Sequence, residues 1–481
     1  VSDNHGIYTS ELKTSVLSNA SQTIPVIIGT APIHLSQLSA APVNKPIYVE
    51  SYEDAVRQLG YSDDWASYTL SEYIFAHFKL YKVSKAIFIN VLDPTIHKTT
   101  VAPANLAVTS GAVTLSDAGV LKAGVTVKSA DGATPYTLGT DYSLGYDSSG
   151  KLVITARAGG TIPSGVSQLK IGYDKLNPAA VNISDIIGGV DSQTGKQSGL
   201  ELVNQVFPRF GVVPSLIVAP GYSSNPTVAA VMAAKSGSIN GMFKAQAIVD
   251  LDVSNITQYL DAPGWKTSNN YTSEFQAVGY PNLTKDGRTF RFSSHLAPAI
   301  CRTDTANDGI PYVSVSNQNL DIDGALGKDG AEFFLGRDQA AYLNSKGIVT
   351  AFNFAGWVAW GNRTGAYPAN TDPKDAILPI RRMFSWVQNQ AIVRYWSRVD
   401  GPLTVRLVES ITDDINIWLN GLTAGGALVG GRIEFNAAEN PAADLLDGKM
   451  VFHIFFTPPG PAQEISFKVE YDPSYLSTIY A

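Results

Sequence analysis

The sequence predicts a multidomain protein of mixed class. An α/β core domain carries an inserted small β-sandwich or barrel, and a C-terminal α+β domain follows, with extended arms at both ends. Three observations carry this. Short apolar runs ending in Gly or Pro alternate with capped helical patterns up to residue 97 and again from 177. The stretch between is Ala, Gly, Thr, Val and Ser with strand alternation and no helical period. After residue 357, two long helical patterns are followed by strands. The boundaries are an N-terminal arm over 1–22, the discontinuous core over 23–97 and 177–356, the insert over 98–176, the C-terminal domain over 357–470 and a C-terminal arm over 471–481.

The first 22 residues are polar with little periodicity, as suits an arm. "IPVIIGTA" (24–31) is a short apolar run that reads as a buried strand. "YVESYEDAVRQLG" is a helix with Ser51 as N-cap, acids in its first turn and Gly60 as its stop. "TLSEYIFAHFKLY" is a second helix, and "KAIFINVLDP" a buried strand closed by Pro94. Within the insert, Asp131-Gly132 and Ser149-Gly150 are turn signals between alternating runs. The α/β grammar then resumes. "SGLELVNQVFPRFG", "NPTVAAVMAAKSGS" and "AEFFLGRDQAAYLNSKG" read as helices; "PSLIVAPGYSS", "MFKAQAIVDLD" and "IVTAFNF" read as strands. In the C-terminal part, a long helix follows a cap at Asp372 or Asp375 and stops at Gly401-Pro402. "TVRLVESITDDINIWLNGL" is another helix. "VGGRIEFN", "KMVFHIFFTP" and "EISFKVEY" are strands, with a short helix "NPAADLLDG" between the first two.

Composition narrows function. Hydrophobic residues make up 44% and charged residues 16%, against about 25% charged in an ordinary soluble chain. Low charge suits a surface that is buried against partners. The net charge is −7 with no basic block, which argues against a nucleic-acid footprint. No run approaches the ~20 apolar residues of a membrane span, and the N-terminus lacks the basic and apolar regions of a signal peptide. Asn362-Arg363-Thr364 matches a glycosylation acceptor, but five further matches in a chain rich in Asn, Ser and Thr make this a chance pattern.

The motifs of chemistry are incomplete. No two of the six histidines lie within ten residues of each other, which leaves no local zinc pattern. Cys301, the single cysteine, reads as a small wall residue. Gly195-Lys196 suggests a phosphate loop, but Gly189 is one residue too far back and Gln197 stands where a hydroxyl is needed. Asp321 to Gly324 resembles the start of a calcium loop, with Ala325 in place of an oxygen ligand. Asp413 and Asp414 are adjacent on a helix and face different ways. No catalytic, metal or cofactor site is expected.

Three stretches taken in order, "DSQTGKQSGLELVNQVFPRFGVVPSLIVAPG", "WVAWGNRTG" and "IRRMFSWV", resemble the contractile tail sheath proteins of bacteriophages and of phage-tail-like particles. The resemblance spans nearly the whole chain. It implies a structural subunit of the virion, assembled in the bacterial host cytoplasm. Such subunits form hexameric rings stacked as a helix around an inner tail tube protein. Baseplate and tail terminator proteins are the further partners, with no direct nucleic acid and no membrane insertion. Contraction from a metastable extended state then drives the tube through the host envelope. The resemblance also implies terminal arms that add strands to neighbouring subunits, here around Ile7, Tyr8, Thr9 and Ser10 and around Leu476 and Ile479. Trp360, Gly361 and Arg363 are expected to join the core to a tube-proximal domain, and Asn440, Ala443, Asp444 and Lys449 to contact the tube. The alternatives are a hydrolase-type enzyme with a sandwich accessory module, and a surface adhesin or surface-layer protein.

Overall fold

The computed structural model describes residues 22–480, so the expected arm residues Ile7 to Ser10 lie outside the described residues. The chain divides into two compact units, one ending at Pro402 and one beginning at Leu403.

The first unit is built on a six-stranded sheet. Its strands are β1 (Pro25–Gly29), β2 (Ile47–Val49), β3 (Ala86–Asn90), β4 (Leu216–Val218), β5 (Gln246–Asp250) and β6 (Gln276–Gly279), in the order β6-β5-β4-β1-β3-β2. All neighbours are parallel except the edge strand β2, which runs antiparallel to β3. Strands β1, β3, β4 and β5 are buried at every position, which explains their unbroken apolar runs. Helices cover the sheet: α1 (Tyr52–Leu59), α2 (Thr69–Ile74), α3 (Pro226–Gly237) and α4 (Ser293–Thr305). Helix α1 begins and ends as its sequence requires. Ser51 accepts from the backbone N–H of Asp54, and the Gly60 N–H closes on Val56. The expected single helix after Thr69 is instead α2 followed by a π-helical segment, Phe75–Leu80. The stretch after Ser198 is a 3-10 segment, Gly199–Gln205, leading into a short α-helix, Val206–Phe210.

The insert is a small sandwich of two antiparallel sheets. Lys98–Ala107, Gln168–Leu176, Thr126–Ser129 and Pro135–Tyr136 form one sheet; Ala112–Thr114, Leu152–Ala156 and Tyr142–Tyr146 form the other. It has its own core, centred on Val113, Val127, Leu152, Ile154, Leu169 and Ile171. The Asp147 carboxylate accepts from the Ser149 and Lys151 N–H groups and so closes the turn read at Ser149-Gly150.

A hairpin of β7 (Thr350–Asn353) and β8 (Trp357–Trp360) extends from the β6 edge, where the Val349 N–H donates to Val278. Helix α5 (Leu378–Tyr395) follows a short capped turn at Asp372. The expected domain boundary at 356/357 is not where the compact units part. α5 belongs to the first unit, because its buried Arg382 pairs with Asp304 of α4 and its Asn389 bonds both backbone groups of Lys244.

The second unit contains α6 (Val405–Ala424), capped by Thr404, and a two-stranded antiparallel sheet of β9 (Gly430–Glu434) and β10 (His453–Thr457). Ile411, Ile415, Leu419 and Leu422 form the buried stripe of α6. "EISFKVEY", expected as a third strand, pairs with no strand among the described residues. The prolines at 458, 459 and 461 lead the chain away from β10, and a proline cannot donate to a ladder. Pro473–Tyr480 is a 3-10 segment rather than an extended arm.

Candidate assembly surfaces

In an open sheet of this topology, ligands bind where the strand order reverses, outside the carboxyl ends of the two central strands. Here that place lies between β1 and β4, and the chain itself fills it. Thr69, at the start of α2, accepts from the Thr30 N–H at 3.3 Å, and its own N–H donates to the Thr30 hydroxyl at 3.1 Å. Gly29 is required by this closeness, since a Cβ there would lie 2.3 Å from Thr69 Oγ1. The crevice is a packed joint.

The other polar groups of chemical interest are either desolvated or held in local pairs. Burial holds the imidazoles of His77 and His295 down to about 3, and His34 down to about 4. Tyr81 Oη lies 3.0 Å from His295 Nδ1. Cys301 is fully buried, and desolvation pushes its thiol up, so it is a poor nucleophile. Asp250 accepts from the Ser223 hydroxyl and from both the N–H and hydroxyl of Ser293; burial still pushes its carboxyl up. Lys285 bridges Asp321 (3.2 Å) and Asp323 (3.0 Å), so an ammonium occupies the calcium-loop resemblance. In the phosphate-loop resemblance, Asp191 accepts from the N–H groups of Gln193 and Thr194, which places a carboxylate where a phosphate would sit.

The loop from Trp360 to Asn370 is a buried joint inside the first unit. Asn362 is 5% exposed, which agrees with setting glycosylation aside. Gly361 has φ +137°, and a Cβ there would meet the Val349 backbone at 3.0 Å. The Arg363 guanidinium lies 4.4 Å from the Tyr367 ring centroid, within the same loop. The residue that ties the loop to the core was not legible in the sequence. Lys266, 2% exposed, donates its ammonium to the carbonyls of Gly365 (2.6 Å) and Tyr367 (3.0 Å). Burial holds it down to about 8.

In the second unit the expected tube-contact residues separate. Ala443, Asp444 and Lys449 lie on and beside the short helix Ala442–Leu446, on its exposed side or partly so. Asn440 turns inward. Its amide bonds the carbonyls of Asn436 and Val451 and the N–H of Val451, which staples the loop together. Beyond the prolines, Ile465, Phe467, Val469 and Tyr471 are exposed by 71 to 95% and alternate with Glu464, Ser466, Lys468 and Glu470. That is the pattern of a half-buried strand without a sheet. Leu476 and Ile479 are exposed in the segment that follows.

No family model matches the chain. A tail sheath protein of Burkholderia phage BcepMu is 28% identical over 99% of this chain and 98% of its own length. The tail sheath protein of Escherichia phage P2 is 24% identical over 64% of this chain and 76% of its own. Along nearly its whole length the chain is similar to contractile tail sheath proteins. Two solved structures share the fold. A chain of the anti-feeding prophage baseplate superposes with a TM-score of 0.57 at 15% identity, covering 98% of this chain and all of that one. A chain of a contracted PVC sheath complex, an extracellular contractile injection system, gives 0.55 at 15% identity over 99% of each. Tail sheath proteins are structural, and the enzyme alternative falls with that similarity. The filled crevice between β1 and β4 shows in this chain how an α/β sheet serves as scaffold.

Proposed function

We propose that this sheath subunit polymerises into hexameric rings stacked helically around an inner tail tube, and contracts from a metastable extended state to drive the tube through a host envelope. Assembly takes place in the bacterial cytoplasm, with baseplate and terminator proteins at the two ends. The observation that carries the reading is the exposed alternating segment 464–471 beside a sheet of only two strands, β9 and β10. The segment supplies main-chain groups and one apolar face; the edge of a two-stranded sheet in a neighbouring copy accepts both. This moves the strand-donating part of the C-terminal arm upstream of Leu476 and Ile479. The N-terminal arm around Ile7, Tyr8, Thr9 and Ser10 pairs in the same manner. Ala443, Asp444 and Lys449 face the tube.

The energetics require many copies. Burying Ile465, Phe467 and Val469 yields about 1.5–3 kcal/mol each. Ordering the eight residues of the segment costs about 1–2 kcal/mol each. Side-chain burial alone does not hold the strand; backbone hydrogen bonds and the many links of a ring complete the balance. No nucleotide is needed, since the driving energy lies in the two packings of the lattice.

Negative-stain electron microscopy of the purified chain tests this. Tubes or stacked rings are expected from the full chain, and folded monomers from a chain ending at Ala462. Tubes formed by the truncated chain would sink the strand-exchange reading; a full chain that stays monomeric at high concentration would sink the sheath function.

A further inference from the structure

The tip of the β7–β8 hairpin presents an aromatic knob. Phe354 is 77% exposed, and its ring stacks on Phe352 at 6.4 Å between centroids. On the other face of the hairpin, Phe334, 63% exposed, packs on Trp357. Large apolar side chains left exposed at one hairpin end mark a contact surface. In the loop that leads into Phe334, Asp329 and Glu332 are exposed against one lysine, Lys328, leaving one carboxylate in excess.

Elsewhere in the same unit there is a matching hollow. A cleft of about 1030 Å³ opens between the sandwich and the α/β core. Ile33, Leu35, Leu38 and Leu121 give it an apolar wall. Its charges are Lys98, which pairs with Asp174 at 2.7 Å, and Lys122, whose ammonium lies 4.7 Å from the Tyr146 ring centroid. The cleft therefore has one lysine in excess.

We propose that the Phe354 knob of one copy inserts into the sandwich–core cleft of a second copy, with Glu332 and Asp329 meeting Lys122. The inference rests on the assembly reading above and names a contact within it that does not involve the terminal arms. A knob and a hole at two different places on one chain make a heterologous contact. Such a contact repeats head to tail and leads to a ring or a helix rather than to a closed dimer. That is the symmetry a sheath requires, and it also places the inserted sandwich in the lattice.

The test is a cysteine pair in the full-length chain. Ala355→Cys, beside the knob, and Ser39→Cys, at the exposed rim of the cleft, leave Phe354 in place, and the native Cys301 is buried. After diamide oxidation of assembled protein, non-reducing electrophoresis should show a ladder of covalent multimers for the pair. Each single variant should give none. In parallel, Phe354→Ser should raise the critical concentration for assembly about tenfold, and Lys122→Glu should be rescued by Glu332→Lys. Tubes without a ladder, an intrachain disulfide, or dimers from Ala355→Cys alone overturn the knob contact and leave the sheath function standing. Absence of tubes from the unmodified chain overturns both.

Discussion

Lys266 illustrates how one side chain fixes a joint. Its ammonium satisfies two buried carbonyls of the loop after β8, and replacing it by Met leaves both without a donor. Each such orphan costs about 1–3 kcal/mol, so Lys266→Met should lose about 2–4 kcal/mol in urea unfolding. The buried imidazoles give a pH dependence whose sign is fixed. His34, His77 and His295 remain neutral in the fold well below the ordinary value of 6.5, while in the unfolded chain they take up protons. Stability from them is complete above pH 6.5 and falls as pH drops towards 4 and 3. At pH 5 each contributes a loss of about 2 kcal/mol. Thermal melts at pH 7 and pH 5 should show the drop, and His77→Phe should reduce it. None of this was legible in the sequence. A lone His or Lys in an apolar run gives no sign of whether its partner is water or a carbonyl about a hundred residues away.

At the scale of elements, a buried ion pair helps to hold α5 in the first unit. Arg382 and Asp304 are both buried, and removing one partner leaves a charge uncompensated in the interior. Arg382→Ala should therefore cost about 3–5 kcal/mol by denaturant titration, whereas the exposed pair Lys449–Asp447 should tolerate loss of its lysine with under 1 kcal/mol change. Local signals in the sequence were enough for α1, with Ser51 and Gly60 at its ends, for the existence of α3, and for the sandwich turns. They failed for α5's allegiance and for "EISFKVEY". The alternation of that segment is that of a strand, but periodicity says nothing about which chain supplies the neighbouring strand. Phe467→Glu combined with Val469→Glu should leave the circular dichroism spectrum unchanged and abolish tubes in electron micrographs.

For the whole molecule, the class of fold was legible because each layer writes its own period. Buried parallel strands are continuous apolar runs, sandwich strands alternate, and helices have ends. The filled crevice between β1 and β4 was not legible, because Thr69 is an ordinary residue in sequence and acts only through its closeness to Gly29. Gly29→Ala should force that contact apart and destabilise the first unit by several kcal/mol, measurable as a lowered Tm, without touching the second unit's sheet.

The three prolines after β10 have a mechanical consequence. Proline-rich chain favours an extended, semi-rigid form of about 3.1 Å per residue, so the six residues between Thr457 and Glu464 act as a strut of about 20 Å. A strut of fixed length lets a neighbour swing but not drift away. In the proposed assembly, subunits joined by such struts would change the pitch and girth of a cylinder together while every copy keeps hold of the same neighbour, as the ribs of an umbrella do when it opens.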